Sequence, residues 1–133
     1  MEERQLKTEK WTNAQGESFR LLNWPVVTGE PQATLLIHHG HGEHAGRYES
    51  LVKGITDLPV DIWSFDARGH GESDGARGDA AGLAGLVQDL EQIIELMASR
   101  TENRPMMVMG HSMGGAVVGY YATSKTAHPS IQG

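Results

Sequence analysis

Short apolar runs alternate with polar, glycine-rich stretches along the 133-residue chain. Runs of four to seven residues, each bounded by turn-forming residues, predict strands at residues 9–12, 18–24, 33–37, 60–65 and 106–109. The first two flank a turn at residues 13–16 and are typical of an antiparallel hairpin, which Pro25 closes. The last three are largely apolar, as is usual for strands buried in a parallel sheet.

Helical spacing of apolar residues follows each of these three strands. Apolar positions from Tyr48 to Ile55 predict a helix that runs to about residue 57. The clearest helix follows the second strand, with Asp79 as its predicted N-cap, and its apolar positions are Leu83, Leu86, Val87, Leu90, Ile93, Ile94 and Met97. Residues 114–124, rich in glycine and alanine, predict a third helix. This alternation predicts an α/β fold with a parallel sheet, preceded by the hairpin.

Composition narrows the class of protein. A single domain over residues 1–133 is expected at this length. A formal net charge of -6 argues against binding to nucleic acid or to an anionic membrane surface. The absence of cysteine excludes disulfides and cysteine-based metal sites. The charged first residues and the lack of an apolar run near about 20 residues argue against a signal peptide and a transmembrane helix. We therefore expect a cytoplasmic protein, and the sequence gives no reason to expect a cofactor.

Residues 110–114, Gly-His-Ser-Met-Gly, join the last predicted strand to the last predicted helix and indicate a serine nucleophile on a tight turn. A strand that turns directly into a helix forces the middle residue, Ser112, into a strained backbone conformation. Side chains two positions away on either side would collide, which explains Gly110 and Gly114. The Ser112 hydroxyl then stands at a helix N-terminus, where unpaired N–H groups favour negative charge. The alternative is that Ser112 only caps the helix.

The loops at the carboxyl ends of parallel strands usually build the site of such a sheet. For acyl transfer, the oxyanion of the tetrahedral intermediate is held by two backbone N–H groups. One comes from the residue after the nucleophile, here Met113, and the other from the loop after the first parallel strand, here His41. The flanking Gly40 and Gly42 suit this role because glycine lets the backbone approach a substrate closely.

A metal site is the main alternative, because His39, His41 and His44 with Glu43 spell H-x-H-x-E-H and His111 lies downstream. This pattern resembles the two-metal hydrolases of the metallo-β-lactamase fold. Glu43 stands where that family has an aspartate, and its longer side chain moves the carboxylate by more than a metal ligand tolerates, about 0.2 Å. That family also follows its matching stretch with a strand, whereas residues 114–124 predict a helix. For His39, a role in ordering the loop through its ring is favoured over direct catalysis.

Dinucleotide binding is a further alternative, because residues 40–45 satisfy the pattern G-x-G-x-x-G/A between a strand and a helix, and Asp66 ends the next strand. Glu43 would then place a carboxylate near the pyrophosphate, where repulsion is expected. This interpretation also leaves the turn at Ser112 unexplained.

Three ordered motifs, HHGHGEHAGRY, FDARGHGESDG and GHSMGG, resemble the α/β-hydrolase family of monoglyceride lipases, lysophospholipases and related serine hydrolases. The resemblance implies that Ser112 is the nucleophile and that the N–H groups of His41 and Met113 form the oxyanion hole. It also implies a carboxylic-ester substrate similar to a monoacylglycerol or a lysophospholipid. The family position of His41 is commonly apolar. The loop that starts at Asp66 is similar to a family segment that supports the site and carries no triad residue.

The acid and the base of a catalytic triad are not found after Ser112. On this fold they follow the nucleophile, yet no Asp or Glu does so here, and His128 is the only later histidine. A helix of about 12 residues would place His128 about 18 Å away. We therefore expect an N-terminal portion of an α/β hydrolase, inactive alone and completed by a separate or missing C-terminal segment. Residues 129–133 then approach a further strand, and the strand at 106–109 has an open side.

Overall fold

A computed structural model describes residues 3–75, 82–124 and 127–133 of the chain. Its elements are the strands β1 (Lys7–Thr12), β2 (Ser18–Trp24) and β3 (Ala33–His38), a 3₁₀ turn (Ala45–Tyr48), helix α1 (Glu49–Gly54), strand β4 (Val60–Phe65), helix α2 (Gly82–Arg100), strand β5 (Met106–Gly110) and helix α3 (Met113–Ala122). Asp79, the predicted N-cap of α2, lies outside the described residues.

The described strands form one five-stranded sheet in the order β1-β2-β4-β3-β5. β1 pairs with β2 as the predicted antiparallel hairpin, and β2 pairs antiparallel with β4. β4, β3 and β5 are mutually parallel, with β3 in the centre of the three. The carboxyl ends of β3 and β5 meet where His38 pairs with Gly110. This register brings the histidine-rich loop and the Ser112 turn to the same edge of the sheet.

Apolar residues on the two faces of the sheet build two cores. Helices α2 and α3 cover one face, where the buried residues include Phe19, Leu21, Leu36, Phe65, Leu86, Leu90, Ile93, Ile94, Met97 and Val117. The 3₁₀ turn and α1 cover the other face over Leu22, Trp24, Ile37, Val52 and Ile62. Because successive residues of a strand point to opposite faces, adjacent positions such as Leu36 and Ile37 fall in different cores. None of the described helices is long and apolar enough to cross a membrane.

The predicted strands and the long helix agree with the structure to within two or three residues, and two predictions were wrong. The helix expected to run to residue 57 ends at Gly54, where the Ile55 N–H bonds back to the Val52 carbonyl. The side of β5 that was expected to be open is paired at Met106 and Val108 by residues 130–133, which were predicted to approach a further strand. The Met106 N–H donates to Ser130, the Gln132 N–H donates to Met106, and Ile131 forms a parallel bridge with Met106.

Candidate functional site

Ser112 occupies a strained turn between β5 and α3. Its backbone has φ 55° and ψ -114°, in the half of conformational space that favours glycine. The side chain is exposed and makes no capping hydrogen bond to α3. The interpretation of Ser112 as a plain helix cap is therefore wrong in this structure. A strained, exposed hydroxyl at the end of a strand is the geometry of a displayed nucleophile.

Close backbone contacts explain the two glycines of the turn. A Cβ added to Gly110 would lie 2.3 Å from the Gly114 carbonyl oxygen, so the two positions do collide as predicted. A Cβ on Gly114 would lie 2.2 Å from the carbonyl oxygen of His38, at the end of β3. Real Cβ atoms essentially never approach so closely, and the obstacles are backbone atoms that cannot rotate away. The turn is thus pressed onto the carboxyl end of the central parallel strand.

The backbone N–H groups of His41 and Met113 are both available to bind an anion. Met113 is the first residue of α3, where an N–H has no partner inside the helix. Within the described ranges, neither N–H donates a hydrogen bond. The loop of His41 reaches the turn through Gly40, since a Cβ on Gly40 would lie 3.1 Å from the His111 carbonyl oxygen. The structure therefore brings together the loop of His41 and the turn of Ser112.

His39 is buried and holds two loops together through both ring nitrogens. Its Nε2 accepts a hydrogen bond from the Ala67 N–H at 2.9 Å, so its Nδ1 carries the proton and donates to the Gly40 carbonyl at 2.7 Å. Burial lowers the pKa of His39, with the neighbouring ring of His70 adding to this effect. The interpretation of His39 as a loop-ordering residue is confirmed by these contacts.

Asp66 and His70 complete the support of the histidine-rich loop from the loop after β4. The buried Asp66 carboxylate accepts the Ala45 N–H at 2.8 Å and the Glu72 N–H at 3.0 Å. His70 accepts the Gly42 N–H at Nε2, 3.0 Å away, and its ring also lies edge-on to that of His41 at 5.4 Å. The sequence reasoning missed His70. Its place between two glycines in the second motif was the signal available.

The predicted metal ligands do not assemble. Among the described residues, no three His, Asp or Glu side chains are placed to hold a metal ion. Both nitrogens of His39 bond the backbone, and the Glu43 carboxylate is occupied by the Gly40 N–H and by Arg47. The geometry thus contradicts a metal site built from His39, His41, His44 and His111.

The dinucleotide interpretation also fails on geometry. The glycine-rich loop leads into a 3₁₀ turn and a six-residue helix, so no long helix begins at the loop to present its N-terminus to a pyrophosphate. Asp66, which follows the next strand in this interpretation, is fully buried and accepts backbone hydrogen bonds with both carboxylate oxygens.

His128 lies at the far end of α3 from Ser112. Its N–H donates to the Tyr121 hydroxyl at 2.6 Å, and Tyr121 is nine residues beyond Ser112 along the chain. At about 1.5 Å per helical residue that separation is about 14 Å. The His128 ring is also engaged locally, because its Nδ1 accepts the Ser130 N–H. The prediction that His128 is too distant to serve Ser112 agrees with this placement.

Comparisons with known proteins match this arrangement. The family described as "Serine aminopeptidase, S33" matches residues 29–133. The monoglyceride lipase of Homo sapiens is 34% identical over 116 residues, which are 87% of this chain and 38% of that protein. The structure resembles a soluble variant of the Saccharomyces cerevisiae monoglyceride lipase, solved with a substrate analog, at TM-score 0.78 and 28% identity over 100% of this chain and 44% of that one.

An α/β hydrolase from Novosphingobium aromaticivorans shares the fold at TM-score 0.70 and 22% identity, over 98% of this chain and 42% of that one. The chain therefore spans about two fifths of the length of the relatives that it matches.

Proposed function

The chain belongs to the serine aminopeptidase S33 family of α/β hydrolases, and from this membership we propose that it carries the nucleophile and the oxyanion hole of a carboxylic-ester hydrolase. The observation that carries the proposal is the strained backbone of Ser112, at φ 55° between β5 and α3. Strain of this kind costs about 1–3 kcal/mol, persists only where the surrounding structure enforces it, and is concentrated at functional sites. The N–H groups of His41 and Met113, which donate to no other group within the described residues, support the proposal because they could bind the oxyanion.

The proposed reaction uses Ser112, the two backbone N–H groups and a histidine base that this chain does not supply beside Ser112. The Ser112 Oγ attacks the carbonyl carbon of the ester while a histidine base takes its proton. The N–H groups of His41 and Met113 donate to the oxyanion that forms. Collapse of the tetrahedral intermediate expels the alcohol, which takes the proton from the histidine, and leaves an acyl ester on Ser112. A water molecule then attacks this ester, releases the carboxylic acid and restores the serine.

The proposed substrate is a monoacylglycerol-like or lysophospholipid-like ester. The support is the naming of the relatives, which include monoglyceride lipases from Homo sapiens and from Saccharomyces cerevisiae.

The histidine base and its acid partner are proposed to come from polypeptide outside residues 1–133. No Asp or Glu follows Ser112 in the sequence, and His128 lies at the far end of α3. The relatives are more than twice as long as the matched region. This polypeptide, attached or separate, is the partner that the proposal requires.

The test compares hydrolysis of a monoacylglycerol by the purified 133-residue chain and by the tagged protein isolated from its native source with everything bound to it. We expect hydrolysis only by the native form, and a loss of at least about 10³-fold in the Ser112→Ala variant. Ser50→Ala, an exposed serine of α1, is the matched control and keeps full activity.

Three outcomes of this hydrolysis test would each contradict a different part of the proposal. Hydrolysis that survives Ser112→Ala would contradict the nucleophile. Turnover by the purified chain alone would contradict the need for an external base. A native form without any esterase activity would favour a non-catalytic fragment that acts only by association.

A further inference from the structure

The Glu43 carboxylate joins the histidine-rich loop to the turn that carries Ser112. Its Oε1 accepts the Gly40 N–H at 2.8 Å and the Tyr48 hydroxyl at 3.2 Å. The same oxygen lies 3.3 Å from Nδ1 of His111, while Oε2 lies 3.1 Å from Nε of Arg47. From the sequence, Glu43 was grouped with the possible metal ligands. In the structure its carboxylate instead makes hydrogen bonds with Gly40, Tyr48 and His111 and an ion pair with Arg47.

This carboxylate is well shielded, although it lies near the surface. Its side chain is 15% exposed, whereas the side chains of Arg47 and His111 are 67% and 64% exposed. The Gly40 N–H lowers the pKa of Glu43 most, and His111, Tyr48 and Arg47 lower it further. Hydrogen bonds to a charged acceptor are stronger than hydrogen bonds between neutral groups. The ionised Glu43 therefore holds its neighbours firmly.

The position of these neighbours links Glu43 to the proposed oxyanion hole. Gly40 immediately precedes His41, and His111 immediately precedes Ser112. A Cβ on Gly40 would lie 3.0 Å from the Glu43 Oε1 and 3.1 Å from the His111 carbonyl oxygen, so the loop and the turn are in direct contact at this point. Glu43 and His111 are 68 residues apart in sequence, and their contact connects the histidine-rich loop to the Ser112 turn.

We propose that Glu43 is a positioning residue that fixes the His41 N–H relative to Ser112 by bonding Gly40 and His111 at once. This inference rests on the proposed function of the site. Glu43 does not touch the reacting atoms. It acts through the backbone of the loop, where a displacement of about 1 Å is enough to weaken an oxyanion contact.

The first test uses nuclear magnetic resonance on the 133-residue chain and needs no catalysis. We expect Glu43→Ala to accelerate exchange of the Gly40 amide at least about tenfold, because the amide loses its charged acceptor. In ¹⁵N spectra at pH 8, His111 should carry its proton on Nδ1 in the wild type and shift towards the Nε2 tautomer in Glu43→Ala. Glu43→Gln keeps one acceptor oxygen and should rescue the Gly40 amide at least in part.

The second test measures ester hydrolysis by the native form. Because the oxyanion contact strengthens in the transition state, we expect Glu43→Ala to lower kcat about 10- to 100-fold with little change in KM. The kcat of Glu43→Gln should lie between the values for the wild type and Glu43→Ala. Glu9→Gln is the matched control, since it removes the same charge from an exposed ion pair with Arg100 and should leave kcat unchanged.

The outcomes separate this inference from the proposed function. Unchanged Gly40 exchange and His111 tautomer in Glu43→Ala would overturn the positioning role whatever the activity. A fall in kcat no larger than that of Glu9→Gln would overturn it too. Intact effects of Glu43 on Gly40 and His111 in a protein whose Ser112 never reacts would instead overturn the proposed function.

Discussion

The backbone of Ser112 is strained, and its neighbours hold it in place. The Gly114 N–H donates to the His111 carbonyl at 2.9 Å, and the His111 N–H donates to the carbonyl of His38 at 3.2 Å. The Ser112 carbonyl in turn begins the hydrogen bonding of α3 by accepting from Ala116. Neighbouring bonds of this kind are what allow a non-glycine residue to keep a positive φ.

Replacing Gly114 tests this packing. We expect Gly114→Ala to lower the free energy of unfolding by about 3 kcal/mol, because the new methyl group meets the His38 carbonyl in a rigid strand end. Gly119→Ala is the matched control in the same helix. It has open space around its Cβ and should stabilise the chain by about 0.5–1 kcal/mol. Urea unfolding followed by circular dichroism compares the two, and equal effects would contradict the described contact with β3.

Buried histidines make the stability of the chain depend on pH. Burial lowers the pKa of His38 to about 4, and the pKa of His39 is lowered for the same reason. The unfolded chain binds a proton at His38 below about pH 6.5, while the folded chain does not until about pH 4. The contribution of neutral His38 to the free energy of unfolding is therefore fully present above about pH 6.5 and is lost as the pH falls towards about 4. The slope from His38 is about 1.4 kcal/mol per pH unit, or about 3 kcal/mol in total.

His38→Asn isolates this contribution, because asparagine can still donate to the His39 carbonyl but does not titrate. We expect urea unfolding between pH 6.5 and 5 to show a shallower slope in the variant than in the wild type. This window lies above the region where Glu43 and Glu17, whose pKa values are lowered, take up protons. Identical slopes would mean that His38 is not buried in its neutral form.

At the scale of the elements, the sequence was a good guide to strands and a poorer one to what lies between them. The apolar runs of β4 and the period of α2 are strong local signals, because burial on one or both faces dictates them. Helix α1 was predicted too long because Ile55 keeps the helical period after the helix has ended. The pairing of residues 130–133 with β5 agrees with the expected approach to a further strand, but its partners Met106 and Val108 depend on contacts distant in the chain.

The loop after β4 is anchored to α2 by a buried ion pair. Arg68 bonds both carboxylate oxygens of Asp89, at 3.0 and 2.9 Å, and also pairs with Glu17 in the hairpin. Asp89 is only 3% exposed. The arginine therefore neutralises a carboxylate that water cannot reach, and it connects three elements at once.

Removing the arginine should leave that buried carboxylate without a partner. We expect Arg68→Met to lower the free energy of unfolding by about 3–5 kcal/mol, and the double variant Arg68→Met/Asp89→Leu to recover most of this loss. Arg100→Ala, which breaks the exposed pair with Glu9, is the control and should cost less than about 1 kcal/mol. Thermal or urea unfolding of the wild type and the three variants measures these differences. Equal losses of unfolding free energy for Arg68→Met and Arg100→Ala would contradict the anchoring role of Arg68.

At the scale of the whole molecule, the candidate site was predictable where its chemistry is local. Five consecutive residues identify the turn at Ser112, and Met113 follows from them directly. The supporting contacts were not predictable, since Glu43 meets His111 across 68 residues and His70 meets Gly42 across 28. A histidine-rich loop looks like a metal site in sequence. The structure shows instead that both ring nitrogens of His39 are engaged in hydrogen bonds with the backbone.

The site proposed for this chain consists of a serine nucleophile and two backbone oxyanion donors, and no histidine base lies beside Ser112 within the described residues. A serine hydroxyl is weakly nucleophilic until a histidine removes its proton. We therefore propose that Ser112 is the residue that reacts, and that it reacts only when further polypeptide supplies the base.

The most direct measurement is the intact mass and peptide map of the protein after treatment with a fluorophosphonate, which labels activated serines. We predict one adduct, located on Ser112, in the native form with its bound or attached polypeptide, and no adduct on the purified 133-residue chain. An adduct on any other serine, or none on Ser112 in a native form that hydrolyses esters, would contradict the account.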